Sequence, residues 1–191
     1  IPAHDPKHSF NYATTYKLDP TPAHHFSASE LSNGPMHPQG LLPQFDLKSF
    51  SGRDEVRKIG SNFNHVVVCS GMCLLVYWAF PSVEPVTEFM RAVTGWDITT
   101  EELLKTGERI ANIRQVFNIR EGLNPLQFEI PERVLGKPPK KEGPLAGITI
   151  DEDTLVKEYL AAMDWDQTTA SPSRNKLEEL GLKDVAQELY R

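Results

Sequence analysis

The residues best equipped for chemistry stand together in Cys69-Ser-Gly-Met-Cys73, inside the most apolar run of the chain, Phe63 to Phe80. Both cysteines of the sequence are here. Four apart on a helix, their sulfurs would share one face, one turn from each other. Thiolates are nucleophiles, redox couples and soft-metal ligands. A bare C-x3-C is a weak zinc signature, because zinc sites show closer or additional ligands. Two buried cysteines also serve as small hydrophobes, and spacing alone leaves the choice open. Ser70 and Gly71 between them suit something that packs close against backbone.

The second chemical signal is histidine. Five of the six histidines precede residue 38, with His24 and His25 adjacent. Imidazole carries protons near neutral pH, although adjacent histidines also occur on solvated loops. Asp164-Trp-Asp166 and Asp151-Glu-Asp153 offer carboxylates to a cation, but the second is better explained as a helix start with its favourable dipole. No phosphate-binding glycine loop, nucleophile elbow or paired zinc motif appears.

The elements that must position these groups are helical. The first 50 residues hold seven prolines, which leave room only for short helices at 7–17 and 23–31 within a long irregular N-terminal segment. Residues 52–80 read as one long helix, charged at its start and buried at its end, which Pro81 stops. Val86, Phe89, Met90 and Val93 mark an amphipathic helix closed by Gly95. Thr99 and Glu102 form a capping box for a helix carrying Leu103, Ile110, Ile113, Val116 and Phe117 and ending near Gly122. Five prolines between 123 and 150 make an extended connection with one turn at 132–135. Asp151 caps a helix whose inner face is Leu155, Val156, Tyr159, Leu160 and Met163. Ser171-Pro172 opens another helix with Leu177 and Leu180, stopped by Gly181, and a last one runs from Lys183 to about Tyr190. The expected fold is all-α and multihelical, in two helical lobes, 1–80 with the chemical segments and 81–191.

Composition narrows the function. With 39% hydrophobic and 24% charged residues, the 191-residue chain can bury a real core. The net charge of −6 without a basic block argues against nucleic acid and against a polybasic membrane patch. The run from Val66 to Phe80 is shorter than the ~18–20 residues a membrane span requires. No secretory signal opens the chain and there is no disulfide framework, so the cytoplasm is the expected location. The first residues open within a polar, proline-punctuated stretch, which suggests a portion of a longer polypeptide. An exposed apolar patch around Val66–Phe80 would favour association into a homodimer.

Several segments together resemble the C-terminal part of the tungsten-containing aldehyde:ferredoxin oxidoreductase family. They are Pro2-Ala-His-Asp-Pro6 with Tyr12-Ala-Thr14; Cys69-Ser-Gly-Met-Cys73; Thr94-Gly-Trp-Asp-Ile-Thr-Thr-Glu-Glu-Leu-Leu104; Gly107-Glu-Arg-Ile110; Phe117-Asn-Ile-Arg-Glu-Gly122; Pro131-Glu-Arg133; and Leu177-Glu-Glu-Leu-Gly-Leu182. The likeness covers essentially the whole chain. It implies an enzyme with tungsten (or molybdenum) held by two pterins beside a [4Fe-4S] cluster, oxidising an aldehyde and passing electrons to ferredoxin. By that resemblance Cys73 is a cluster ligand, Ser70, Gly71 and Met72 are a pterin wall, and His25 is the active-site proton donor or acceptor. Two cysteines cannot supply a cluster that generally takes four thiolates, so this piece alone should be inactive and hold no cofactor. The sequence departs from the family where its pterin-binding aspartate falls on Val68, or on Cys69 if one residue is deleted; the arginine after the first Asp-Pro is Lys7. The departure leaves a second reading, a non-catalytic helical interaction module with a decayed cofactor site. A dithiol redox role for Cys69 and Cys73 needs accessible thiols, and the expected burial of the stretch argues against it.

Overall fold

A computed structural model describes residues 4–21, 24, 48–50, 52–73, 80 and 82–191. Among them are seven α-helices and no strands: α1 (Asn11–Leu18), α2 (Asp54–Cys69), α3 (Glu84–Thr94), α4 (Thr100–Arg120), α5 (Glu152–Ala162), α6 (Arg174–Glu179) and α7 (Lys183–Leu189), with a 3-10 turn at Pro125–Gln127. The fold is all-α. No helix among the described residues is long and apolar enough to cross a membrane.

α4 is the hub, and its start follows from local chemistry. The Thr99 hydroxyl accepts from the Glu102 backbone N–H at 3.2 Å while the Glu102 carboxylate accepts from the Thr99 N–H at 2.8 Å. Two of the donors orphaned at a helix start are thereby satisfied. α2 lies across α4 so closely that a Cβ on Gly107 would sit 1.8 Å from the carbonyl oxygen of Asn62. Only glycine permits that crossing. The α4 face turned inward is Leu103, Gly107, Glu108, Ala111, Asn112 and Gln115. Ile113 and Phe117 point outward, 43% and 53% exposed.

α5 buries the stripe its sequence announces: Leu155, Val156, Tyr159, Leu160 and Met163 are all in the core. Leu18 of α1, Ala111 of α4 and Trp165 close the cluster around Tyr159 and Met163. A neighbouring cluster joins Phe10 and Ala13 to Leu135, Ile150 and Leu155. The N-terminal stretch is fastened to the later chain by polar contacts too. Lys7 Nζ donates to the carbonyl of Val134 at 3.1 Å, and Lys17 pairs with Glu152 at 2.6 Å. α2 and α3 share a third cluster, in which Phe63, Val66 and Val67 meet Val83, Val86, Ile98 and Leu103.

Three expectations are corrected. The first helix begins at Asn11 rather than at Lys7, because Asp5 to Phe10 form tight turns instead. The helix expected to run unbroken over 52–80 is interrupted: α2 ends at Cys69, where Ser70 and Gly71 turn the chain out of the helical path. Ser173, not Ser171, caps α6, accepting from the Lys176 N–H at 3.0 Å. Pro172 is held instead in an isolated bridge with Trp165. The helical turn expected at 23–31 lies, His24 apart, outside the described residues.

Candidate functional site

The end of α2 carries the chemical segment, and its burial changes abruptly there. Phe63, Val66 and Val67 are sealed in the core, whereas Val68, Cys69, Ser70, Gly71 and Cys73 are exposed and Met72 is half-buried. The Ser70 hydroxyl donates back to the Val67 carbonyl at 2.8 Å and accepts from the Met72 N–H at 3.3 Å. A serine bonding back to the preceding turn competes with continued helix. Gly71 completes the break with φ +76°, the left-handed region glycine enters without penalty. The two cysteines therefore flank a helix end. They do not share one buried helical face, and the burial expected for them is overturned.

Around Gly71 no described residue comes within 4 Å of where a side chain would start. The backbone is approachable there, on the same turn that exposes both thiols. Met72 reaches inward against the Phe63 and Val66 cluster and anchors the turn from beneath. His25 lies outside the described residues. Its neighbour His24 has Nδ1 3.5 Å from the Asp19 carboxylate, whose side chain is fully buried and also accepts from the Thr21 N–H at 2.9 Å.

A profile of the family described as "Aldehyde ferredoxin oxidoreductase, domains 2 & 3" matches residues 1–182. The chain belongs to the aldehyde ferredoxin oxidoreductase family. It is 28% identical over 190 residues to tungsten-containing aldehyde ferredoxin oxidoreductases of Pyrococcus furiosus and Thermococcus kodakarensis, covering 95% of this chain and 29% of each relative. The corresponding enzyme of Pyrococcus horikoshii is 28% identical over 192 residues, or 96% of the chain and 30% of that relative. The chain thus spans under a third of the length of the curated relatives it matches.

In this chain, the sequence alone did not reveal what holds α2 in place. Arg53, Arg57, Ser61 and His65 follow one another at four-residue spacing and are buried to 1% exposure or less. Arg57 donates to the Leu155 carbonyl of α5 at 2.8 Å. Ser61 Oγ lies 3.1 Å from the Tyr159 hydroxyl, and His65 Nδ1 lies 2.8 Å from the Ser61 carbonyl, which assigns the ring proton to Nδ1. Burial sets the protonation of the column. It pulls His65 down to about 4, so the imidazole is neutral, and pushes Tyr159 up to about 12. Burial also lowers Arg57 to about 10 and Arg53 to about 9, which leaves both charged at neutral pH. The i, i+4 spacing of the four residues was the available signal, but arginines at a helix start ordinarily read as a solvated face. Among the described residues no three His, Cys, Asp or Glu side chains gather as a metal site.

Proposed function

We propose that this chain is the C-terminal helical part of a tungsten (or molybdenum) bis-pterin and [4Fe-4S] oxidoreductase that converts aldehydes to carboxylic acids, with ferredoxin accepting the electrons. The observation that carries the reading is the exposed Cys73 thiol on a turn with an approachable backbone at Gly71, in the segment that resembles the family's cofactor-facing residues. Cys73 would supply one thiolate to the cluster. Ser70, Gly71 and Met72 would form the pterin wall, with Gly71 permitting close approach and Met72 holding the wall to the core. The bound metal and cluster would supply the two-electron oxidation and its onward relay. His25 would hold or donate a proton at the substrate oxygen, a role suited to a neutral imidazole. Since a cluster generally takes four thiolates and this chain has two cysteines, the remaining ligands come from outside these residues, and the chain alone is inactive.

The test is metal and spectral analysis of the native protein isolated anaerobically, beside its Cys73→Ser variant. Tungsten or molybdenum with iron in the first, and loss of the cluster's visible absorbance in the second, is the expected pair of results. A native protein without any of these metals sinks the proposal. It would favour a helical interaction module with a decayed site, a reading to which the missing aspartate at Val68 or Cys69 already points.

A further inference from the structure

We propose that Cys69 and Cys73 form a reversible disulfide whenever Cys73 is not ligating a metal, with Cys69 as the resolving thiol. The inference depends on the proposed function only in that a bound cluster would compete for the Cys73 sulfur.

Three features of the turn support it. Both thiols are exposed, so neither must leave a core to react. The helix ends between them, at the Ser70 hydroxyl and the left-handed Gly71, so the two cysteines stand on either side of a turn and are not fixed on one continuous helix. Met72, next to Cys73, is held against the Phe63 cluster, which keeps the three-residue spacer in place while the thiols on either side are exposed. Two thiols on so short a tether meet at an effective concentration that small free thiols do not reach.

The chemistry is thiol–disulfide exchange with a low-molecular-weight disulfide as oxidant. The Cys73 thiolate attacks one sulfur of that disulfide, the S–S bond breaks, and a small thiolate leaves. The Cys69 thiolate then attacks the Cys73 sulfur, forming the Cys69–Cys73 bond and releasing the second small thiolate. The protein dithiol has lost two electrons and two protons, and the small disulfide has gained both as two thiols. A bridge across three residues restrains few unfolded conformations, so it adds little stability. It is a labile bond rather than a staple. While it is closed, Cys73 cannot ligate, and metal insertion waits on reduction.

The experiment treats the reduced, metal-free 191-residue chain with oxidised glutathione and reads intact mass and a peptide map. The expected wild-type product has lost two hydrogen atoms, carries a Cys69–Cys73 link, and is restored by dithiothreitol. Cys69→Ser should stop at one glutathione on Cys73, and Cys73→Ser at one on Cys69. Both positions lie on the surface, so both variants retain the core. Wild type bearing two glutathiones, or disulfides joining two copies, overturns the proposal. The outcome is independent of the cluster assignment. A disulfide in a protein whose native form has no iron leaves this inference standing and removes the other; a cluster without the disulfide does the reverse.

Discussion

The two ends of α2 are built on opposite principles. From Arg53 to Val67 the helix is locked by a buried polar column on one side and by the Gly107 crossing on the other. From Val68 to Cys73 the chain is exposed except at Met72, and both thiols lie on the surface. Groups that must meet a large partner need an exposed tip, and they keep a defined place only if the base beneath them is rigid. Here the rigidity comes from groups costly to move once buried, because each would lose its hydrogen bond without regaining water.

Substitutions should therefore be severe at the base and mild at the tip. The largest effect is expected of Gly107→Ala, whose methyl group collides with the Asn62 carbonyl; about 3 kcal/mol or more of stability should be lost in urea titration. A neutral-pH stability within 1 kcal/mol of wild type would show that α2 rides freely on α4. The next effect is one of pH. Burial holds His65 near 4 in the fold against 6.5 in the unfolded chain; its bond to the Ser61 carbonyl opposes the shift, Arg114 adds to it and Asp19 opposes it. Between those values the unfolded state binds a proton that the folded state refuses. Stability should thus fall as pH drops from about 6.5 towards 4, by up to ~3 kcal/mol. His65→Asn should flatten that limb of a plot of stability against pH. Tyr159→Phe removes the hydroxyl that meets Ser61 and should cost about 1 kcal/mol in thermal or urea unfolding. Gly71→Ala, at the tip, forces an alanine into left-handed backbone but into open space; about 1 kcal/mol should be lost, and hydrogen exchange within α2 should be unchanged. Slowed or hastened exchange at Val66 or Val67 in that variant would mean tip and base are coupled.

What could be seen in the sequence divides along the same line. The capping box at Thr99 and the inner face of α5 are local: they depend on residues three or four apart, and both stand where the pattern put them. The length of α2 was not legible. An apolar run continuing to Phe80 favours more helix, and the break rests on one serine hydroxyl and one glycine torsion that either structure could accommodate. The burial of Arg53 and Arg57 was illegible for another reason: a contact such as the Leu155 carbonyl is 98 residues away from Arg57. The roles expected of Cys73 and the Ser70–Met72 turn rest on family likeness, while the apolar run around them favours buried thiols, which the structure overturns. His25 falls outside the described residues, so its placement rests on that likeness alone.

The fastening of the N-terminal stretch to the middle of the chain also bears on synthesis. Lys17 meets Glu152 across 135 residues, and Lys7 meets Val134 across 127. A ribosome adding roughly 5–20 residues per second needs on the order of ten to thirty seconds to make that interval. For that time α1, eight residues long and too short to hold itself together in water, has no surface on which to dock. The segment that carries α1 is made well before the surface it docks on, and it settles only after that surface exists.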